Sequence, residues 1–223
     1  MEKELELKKM TLIPAGSFEM GDHLDRMANS QLVHTVELDA FYMDIHEVTV
    51  GKFKQFVEDS GYTYNKNLWN EVAKYSPTDE HPMVYVNSND ATAYAQWAGK
   101  WLPTETEWKY TARGELISKR YPWGNERTRK GRTLAPQGGR TFNTRVLRGG
   151  SWSSSSSVYL RVALRVNNDG AQDIRHDGDG FRCRILGPQV HLPLSVRSMV
   201  LTLPVEGPLP LFVFGVVVFK SLV

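Results

Sequence analysis

The sequence has little of several features that mark common functional classes. It contains one cysteine in 223 residues, which excludes an internal disulfide framework and a zinc site built from several cysteines. It has no excess of one charge, since 27 Lys and Arg stand against 25 Asp and Glu. The composition therefore gives no case for an acidic disordered chain or for nucleic-acid binding, and we expect no nucleic-acid partner.

Long apolar runs are also missing. The best candidate for a membrane segment, residues 208–219 (PLPLFVFGVVVF), carries two prolines and is shorter than the ~20 residues that a spanning helix needs. The first ten residues, MEKELELKKM, are charged throughout and do not resemble a signal peptide. The sequence thus favours a cytoplasmic protein, with membrane contact by the C-terminal tail as the less favoured alternative.

Aromatic residues are plentiful, with six Trp, nine Tyr and nine Phe. Together with 41% hydrophobic residues, they predict a core built on aromatic packing rather than on Leu-rich helices. Because such large side chains are generally buried, we expect five tryptophans in the core: Trp97, Trp101, Trp108, Trp123 and Trp152.

Capping and turn signals predict three helices. Each begins at a capping side chain and ends at a glycine: from Thr49 to Gly61, from Asn87 or Ser88 to Gly99, and from Thr104, which forms a capping box with Glu107, to Gly114. Residues with high β-propensity predict strands at 11–14, 17–20, 34–38 and 41–44. Few helices, short strands and long polar loops predict a compact α+β domain.

The composition changes along the chain. Residues 115–150 hold nine Lys and Arg against two Asp and Glu, whereas residues 187–223 hold only three charged residues. We therefore divide the chain into a charged extension (1–10), one domain (11–186) and an apolar tail (187–223). The tail would suit an added edge strand, a membrane-associating end or translation beyond a frameshift.

An ordered series of motifs carries a family resemblance. They are IPAGSFEMG (13–21), FYMD (41–44), EVT (47–49), HPMVYV (81–86), AYAQWAGK (93–100), LPTETEW (102–108), YPWGNE (121–126), RGGSW (148–152) and GFRC (180–183). Read together, they resemble the sulfatase-modifying-factor family, the domain of the formylglycine-generating enzyme. The resemblance implies a C-type-lectin-like fold with little regular secondary structure.

The resemblance also implies an activity whose ligands are missing. Enzymes of the family oxidise a substrate cysteine with copper(I) and oxygen, and two cysteines after the RGGSW-like motif hold the copper. Their positions match Ser154 and Tyr159 here, and neither hydroxyl can replace the soft thiolate that copper(I) requires. Ser151 matches a family active-site serine, but a serine alone is not an active site. Cys183 lies in another motif, and we expect it to be a small buried residue.

A family segment that supplies core strands and much of a calcium site has no counterpart here. Only 21 residues, 127–147, separate the WGNE and RGGSW motifs, so the domain is interpreted as shortened between 126 and 148. Asn125 and Glu126 remain, but two ligands cannot make a calcium site of about six to eight oxygens. We expect neither calcium nor copper as a cofactor.

No other catalytic signature replaces the lost one. The six histidines show no metal-binding spacing, and no G-x-S-x-G, Walker or dinucleotide motif occurs. His176 lies close in sequence to Asp173, Asp177 and Asp179. This group could be a ligand cluster, but spacing alone favours a solvated polar loop.

The surface loops at 151–179 are the candidate binding face. The resemblance implies that this region faces the ligand in lectin-like members, and that it is the hypervariable region of diversity-generating retroelement variable proteins. Loops on a rigid scaffold commonly carry binding. The ligand-binding candidates are Ser154, Ser156, Tyr159, Asn167, Asn168, Asp169, Ile174, His176 and Asp177.

Three functions stay open at this point. The favoured one is a non-catalytic module that binds a protein or a small ligand through residues 151–179. The second is a formylglycine-generating-type oxidoreductase that acts on a cysteine of a sulfatase or another protein. The third is a non-functional remnant without a stable fold.

Overall fold

The computed structural model describes residues 7–21, 32–114, 119–121, 124–125, 161 and 175–187, together with the backbone of the strands at 128–129, 132–133, 145–148, 166–168 and 216–218. Four helices and eleven strands lie in this part of the chain. The helices are α1 (Val50–Ser60), α2 (Leu68–Tyr75), α3 (Ser88–Trp97) and α4 (Glu105–Arg113). The strands are β1 (Met10–Ile13), β2 (Gly16–Met20), β3 (His34–Leu38), β4 (Phe41–Asp44), β5 (Thr128–Arg129), β6 (Arg132–Thr133), β7 (Arg145–Arg148), β8 (Val166–Asn168), β9 (Asp179–Gly180), β10 (Arg184–Leu186) and β11 (Val216–Val218).

An antiparallel sheet of three strands joins the two ends of the domain. Its order is β1-β4-β10, with Leu12 opposite Tyr42 and Tyr42 opposite Ile185. Strands β2 and β3 form a separate antiparallel ribbon, and β5 pairs with β6. The four predicted strands are confirmed, with the first shifted by one residue toward the N-terminus and the second beginning one residue earlier.

The second sheet includes a strand from the apolar tail. Its order is β8-β7-β11-β9, in which β11 runs antiparallel to β7 and parallel to β9. This backbone pairing places β11 between two neighbours rather than at an edge. The division of the chain at residue 187 stays a prediction.

The three predicted helices are confirmed at their caps. The Thr49 hydroxyl accepts a hydrogen bond from the N–H of Lys52, and Gly61 ends α1 with φ +65°, in the left-handed region that glycine tolerates. Capping boxes begin α3, between Asn87 and Asp90, and α4, between Thr104 and Glu107. Each box satisfies backbone N–H groups that a helix end leaves unpaired.

Helix α2 was not predicted. Its apolar residues Leu68, Val72 and Tyr75 have helical spacing, but the helix has only eight residues and its N-cap, Asn67, makes no side-chain hydrogen bond. Because the helix is short and its cap is weak, the local sequence gives little indication that a helix forms here. Burial of Val72 against the core stabilises the helix.

The core is aromatic, as expected, and Phe53 lies at its centre. Its ring is 5.3 Å from the rings of Phe56 and Tyr64 and 6.1 Å from that of Tyr94. The cluster extends to Phe181 and Cys183 in the segment between β9 and β10. Most contacts are edge-to-face, which ring quadrupoles favour.

The prediction that the tryptophans are core residues is wrong at two positions. Trp97 is 38% exposed and Trp101 is 50% exposed. Trp97 ends α3 at the rim of the core, where one side of its ring contacts Phe56. Trp101 lies on the surface beneath the Arg184 guanidinium, 5.4 Å from the ring centroid. Trp108 is partly buried, and Trp123 and Trp152 lie outside the described residues.

Among the described residues, none of the helices combines the length and the hydropathy needed to cross a bilayer.

Candidate functional site

The structure describes four of the predicted binding residues. Asn167 and Asn168 lie in β8, where they pair with Val146 and Arg145 of β7. His176 and Asp177 lie at the surface just before β9. The remaining candidates are outside the described residues: Ser151, Ser154, Ser156, Tyr159, Asp169 and Ile174.

Arg175 anchors the described end of the binding face to α3. Its Nε donates to Oδ2 of Asp90 at 2.8 Å and its Nη2 donates to Oδ1 at 3.0 Å. Asp90 is fully buried, and its Oδ2 also accepts from the N–H of Asn87 at 2.8 Å. A planar bidentate pair of this kind fixes orientation as well as position. The residues that follow Arg175 are therefore held against the domain.

Two tyrosines complete this anchor. The hydroxyl of Tyr62 donates to Oδ1 of Asp90 at 2.9 Å, and the Arg175 guanidinium lies 5.9 Å from the centroid of the Tyr64 ring. Burial raises the pKa of Tyr62 to about 12, and the Asp90 carboxylate adds to the rise. Both hydroxyls thus stay protonated donors near neutral pH, since burial raises the pKa of Tyr64 as well.

The turn that follows holds His176 and Asp177 at the surface. The carbonyl of His176 accepts from the N–H of Tyr85 at 3.0 Å and from that of Asp179 at 3.3 Å. Tyr85 has φ +57°, a left-handed conformation that is strained for a tyrosine. The paired carbonyl directs the turn toward the segment between α2 and α3.

Asp179 is the buried polar residue of this turn. It is 5% exposed, and its Oδ2 accepts no hydrogen bond from any residue that the structure describes. Burial raises its pKa to about 6; His176 opposes the rise and Asp177 adds to it. A buried carboxyl without a donor favours the neutral form.

Glu47 lies on the other side of β9. A Cβ at Gly180 would lie 2.9 Å from Oε1 of Glu47, and side chains of neighbouring strand residues point to opposite faces. The Glu47 and Asp179 carboxyls therefore lie on opposite faces of β9. Burial raises the pKa of Glu47 to about 7, against the opposing charge of Arg182. Arg182 donates to the carbonyls of Asp44 and Ile45.

Cys183 is the buried residue that the sequence predicts. It has no exposed surface, and its N–H donates to Oδ2 of Asp44 at 3.0 Å. Asp44 also pairs with Lys100 at 2.9 Å. Burial raises the pKa of the Cys183 thiol, which opposes formation of the thiolate that binds metals.

The expectation of neither copper nor calcium stays a prediction, because Ser154, Tyr159 and Glu126 lie outside the described residues. The only thiol is buried in the core, and the copper positions carry the hydroxyls of Ser154 and Tyr159. Oδ1 of Asn125 accepts from the N–H of Arg120 at 3.1 Å, so it is used within a turn. Within the described ranges, no three His, Cys, Asp or Glu side chains come together as a metal cluster. The described members of the group around His176, which are His176, Asp177 and Asp179, thus form no such cluster, and Asp173 lies outside the described residues.

Sequence reasoning missed Asp90, Tyr75 and Tyr85. Asp90 carries a signal, because it is the third residue after a capping Asn. The two tyrosines carry none, since their proximity depends on packing between α2 and the following segment.

Comparison with known proteins places this geometry in context. The model of the "Sulfatase-modifying factor enzyme 1-like domain" matches residues 1–144. The chain is 33% identical to the formylglycine-generating enzyme of Mus musculus over 175 residues, covering 60% of this chain and 47% of that protein. It is 27% identical to the "Inactive C-alpha-formylglycine-generating enzyme 2" of Bos taurus, covering 78% of this chain and 87% of that protein. The chain spans about half the length of the mouse enzyme.

Two solved structures share the fold. PvdO from Pseudomonas aeruginosa aligns with a TM-score of 0.54 at 19% identity, covering 78% of this chain and 93% of that chain. Treponema denticola variable protein 1 aligns with a TM-score of 0.55 at 18% identity, covering 80% and 95%. The fold is the α+β, C-type-lectin-like fold that the motifs imply.

Proposed function

We propose that this chain, which belongs to the sulfatase-modifying-factor family, is a non-catalytic member that binds a protein or a small ligand through the loop surface 151–179. The observation that carries the proposal is the place of Cys183, the one cysteine of the chain. Its side chain lies in the aromatic core and has no exposed surface. A substrate cysteine therefore has no thiol to meet on the surface of this domain.

The chemistry of the family's oxidation requires soft ligands for copper(I). Here the corresponding positions hold Ser154 and Tyr159, whose hydroxyls are hard and protonated at neutral pH. The inactive bovine relative gives a precedent, by its name, for a member of the family without the activity.

The anchored end of the loop surface supports a binding role. Arg175 is locked by two hydrogen bonds to Asp90, while the next two residues, His176 and Asp177, remain at the surface. A rigid support with polar side chains on it lowers the entropy that binding would otherwise lose. Asn167 and Asn168 are the other described candidates, carried on β8.

The test is a binding survey with the full chain. We would apply the labelled protein to an array of random-sequence peptides and to a glycan array. We expect selective ligands, and we expect their signals to fall several-fold in a His176→Ala, Asp177→Asn double variant. Glu37→Gln, an exposed change on β3, is the matched control and should leave the signals unchanged. Signals that are equal in all three proteins would contradict the proposal.

A second arm separates the two rival functions. The full chain is incubated with a cysteine-containing peptide, copper(I) and oxygen, and the peptide is examined by mass spectrometry. An aldehyde in place of the thiol would overturn the non-catalytic proposal. If thermal unfolding of the full chain is not cooperative, the remnant hypothesis gains instead.

A further inference from the structure

A pair of tyrosine rings lies next to the described end of the binding face. Tyr75, the last residue of α2, and Tyr85 have ring centroids 6.0 Å apart, with their planes inclined at 48°. Both side chains are partly exposed. The N–H of Tyr85 donates to the carbonyl of His176, so the ring pair continues the surface formed by His176 and Asp177.

Hydrogen bonds hold the backbone that carries the Tyr85 ring. Tyr85 is the one non-glycine residue with positive φ in the described part of the chain. Two hydrogen bonds hold it there: its N–H donates to His176, and its carbonyl accepts from the Tyr64 hydroxyl at 2.8 Å. Tyr64 belongs to the aromatic core. The ring pair is therefore presented by a rigid support rather than by a loose loop.

A cation of the chain itself occupies this surface. The Lys74 ammonium lies 5.1 Å from the centroid of the Tyr75 ring. Its pKa is raised, first by its hydrogen bond with the Tyr75 side chain and also by the charges of Glu71 and Asp177. Glu71 lies one helical turn before Tyr75 on α2, and Asp177 directly follows His176, whose carbonyl accepts from the Tyr85 N–H. The rings and carboxylates thus provide an environment in which positive charge is favoured.

We propose that Glu71, Tyr75, Tyr85 and Asp177 form a subsite for a basic side chain, Arg or Lys, of a protein ligand. This inference rests on the proposed function and gives the same face a ligand chemistry. Tyrosine faces attract cations, and the planar Arg guanidinium stacks on such rings better than an ammonium does. Lys74 is a stand-in on a fully exposed side chain, so its displacement by a ligand costs little.

The probe is a short Gly-Ser peptide with a single central arginine, and its matched control carries citrulline in place of arginine. Citrulline has nearly the same shape without the charge. The full chain is labelled with 3-fluorotyrosine, and the resonances of Tyr75 and Tyr85, among nine tyrosines, are assigned with Tyr75→Phe and Tyr85→Phe. We expect the arginine peptide to move both resonances in a saturable way and the citrulline peptide to leave them in place.

Substitutions of the charged residues test whether the subsite favours a positively charged ligand. Lys74→Gln removes the competing cation, so we expect it to tighten binding of the arginine peptide about 2–5-fold. Glu71→Gln and Asp177→Asn should each weaken binding by a similar factor, and Glu37→Gln should not change it. A merely structural role of Lys74, or a site for anionic ligands, would give no tightening in Lys74→Gln.

Several results would overturn the inference. The citrulline peptide could shift the Tyr75 and Tyr85 resonances as much as the arginine peptide does, or a saturating arginine peptide could leave them in place. Lys74→Gln could bind the arginine peptide more weakly than wild type. Neutral methyl glycosides could also move the same resonances in place of the arginine peptide. If the array ligands still bind through His176 and Asp177 without any preference for basic peptides, this inference fails and the proposed function stands. If the full chain instead converts the cysteine peptide to the aldehyde in the copper(I) assay, the proposed non-catalytic function fails, whether or not the arginine peptide shifts the two tyrosines.

Discussion

The Asp90 carboxylate forms two parallel hydrogen bonds with the Arg175 guanidinium, although 85 residues separate them in sequence. Asp90 also accepts from the Asn87 N–H and from the Tyr62 hydroxyl. One buried carboxylate therefore caps α3 and holds the end of the candidate binding face. The stability of the domain and the geometry of this candidate face both depend on Asp90.

We expect Asp90→Ala to destabilise the domain more than Arg175→Ala. Removal of Asp90 leaves Arg175 without its partner and opens the capping box, which by itself contributes about 1 kcal/mol. The Arg175 side chain is 23% exposed, so water can replace part of its interaction with Asp90 when Arg175 is removed. We therefore expect Arg175→Ala to lower the free energy of unfolding by about 1–3 kcal/mol. Urea unfolding followed by circular dichroism measures both. Arg175→Lys, which keeps the charge without the planar fork, should lie between wild type and Arg175→Ala.

The stability of the domain should fall as pH rises from about 4.5 to about 7. Burial raises the pKa of Glu47 from its ordinary 4.5 to about 7. Between these values the folded state binds more protons than the unfolded state, so the free energy of unfolding declines with pH and levels off above pH 7. Ionisation of Glu47 lowers the free energy of unfolding by at most about 3 kcal/mol, at 1.36 kcal/mol per pKa unit. Asp179, with its pKa raised to about 6, acts in the same direction.

Glu47→Gln should flatten this profile. Urea midpoints measured between pH 4 and 8 would show a smaller decline in the variant than in wild type. Glu37→Gln, an exposed change, is the control and should keep the wild-type slope. A slope as steep in Glu47→Gln as in wild type would show that Glu47 is not the titrating group.

Gly180→Ala should destabilise the junction between β9 and the core. The new Cβ would lie 2.9 Å from Oε1 of Glu47 and 3.2 Å from the carbonyl oxygen of Met83. Overpacking of this kind costs about 1–3 kcal/mol. In a double variant with Glu47→Ala, part of the steric conflict is removed. The loss of thermal stability in the double variant should therefore be smaller than the sum of the losses in the two single variants. Strict additivity would mean that the Glu47 contact does not cause the loss.

The Cys183 thiol should be inert in the folded protein. Because the side chain is fully buried and its pKa is raised, Ellman's reagent can reach it only through opening of the domain. We expect the native chain to react at least ~100-fold more slowly than the chain in guanidinium chloride, where one thiol is released to the reagent. Rapid reaction under native conditions would reopen the oxidoreductase hypothesis.

Local signals predicted the parts of the fold that depend on neighbouring residues. The caps at Thr49 and Thr104 and the glycine at position 61 satisfy backbone groups within one turn, so the sequence alone locates them. Helix α2 was not predicted, because it is stabilised by burial of Val72 rather than by a cap. The prediction that Trp97 and Trp101 are core residues was wrong. Composition indicates how often tryptophan is buried, but it does not indicate which tryptophan lies at the surface.

The candidate site divides in the same way. The sequence alone determined the family resemblance and the absence of a copper cysteine pair, because both depend only on residue identity and order. Its choice of His176 and Asp177 of the loop surface 151–179 as binding candidates stays a prediction. Only the tertiary structure decided that Arg175 of this loop is locked to Asp90, and that Tyr75 and Tyr85 lie beside it with Lys74 above one ring. These contacts join segments far apart in the chain, and their distances follow from the packing of α2 and α3 against one aromatic core.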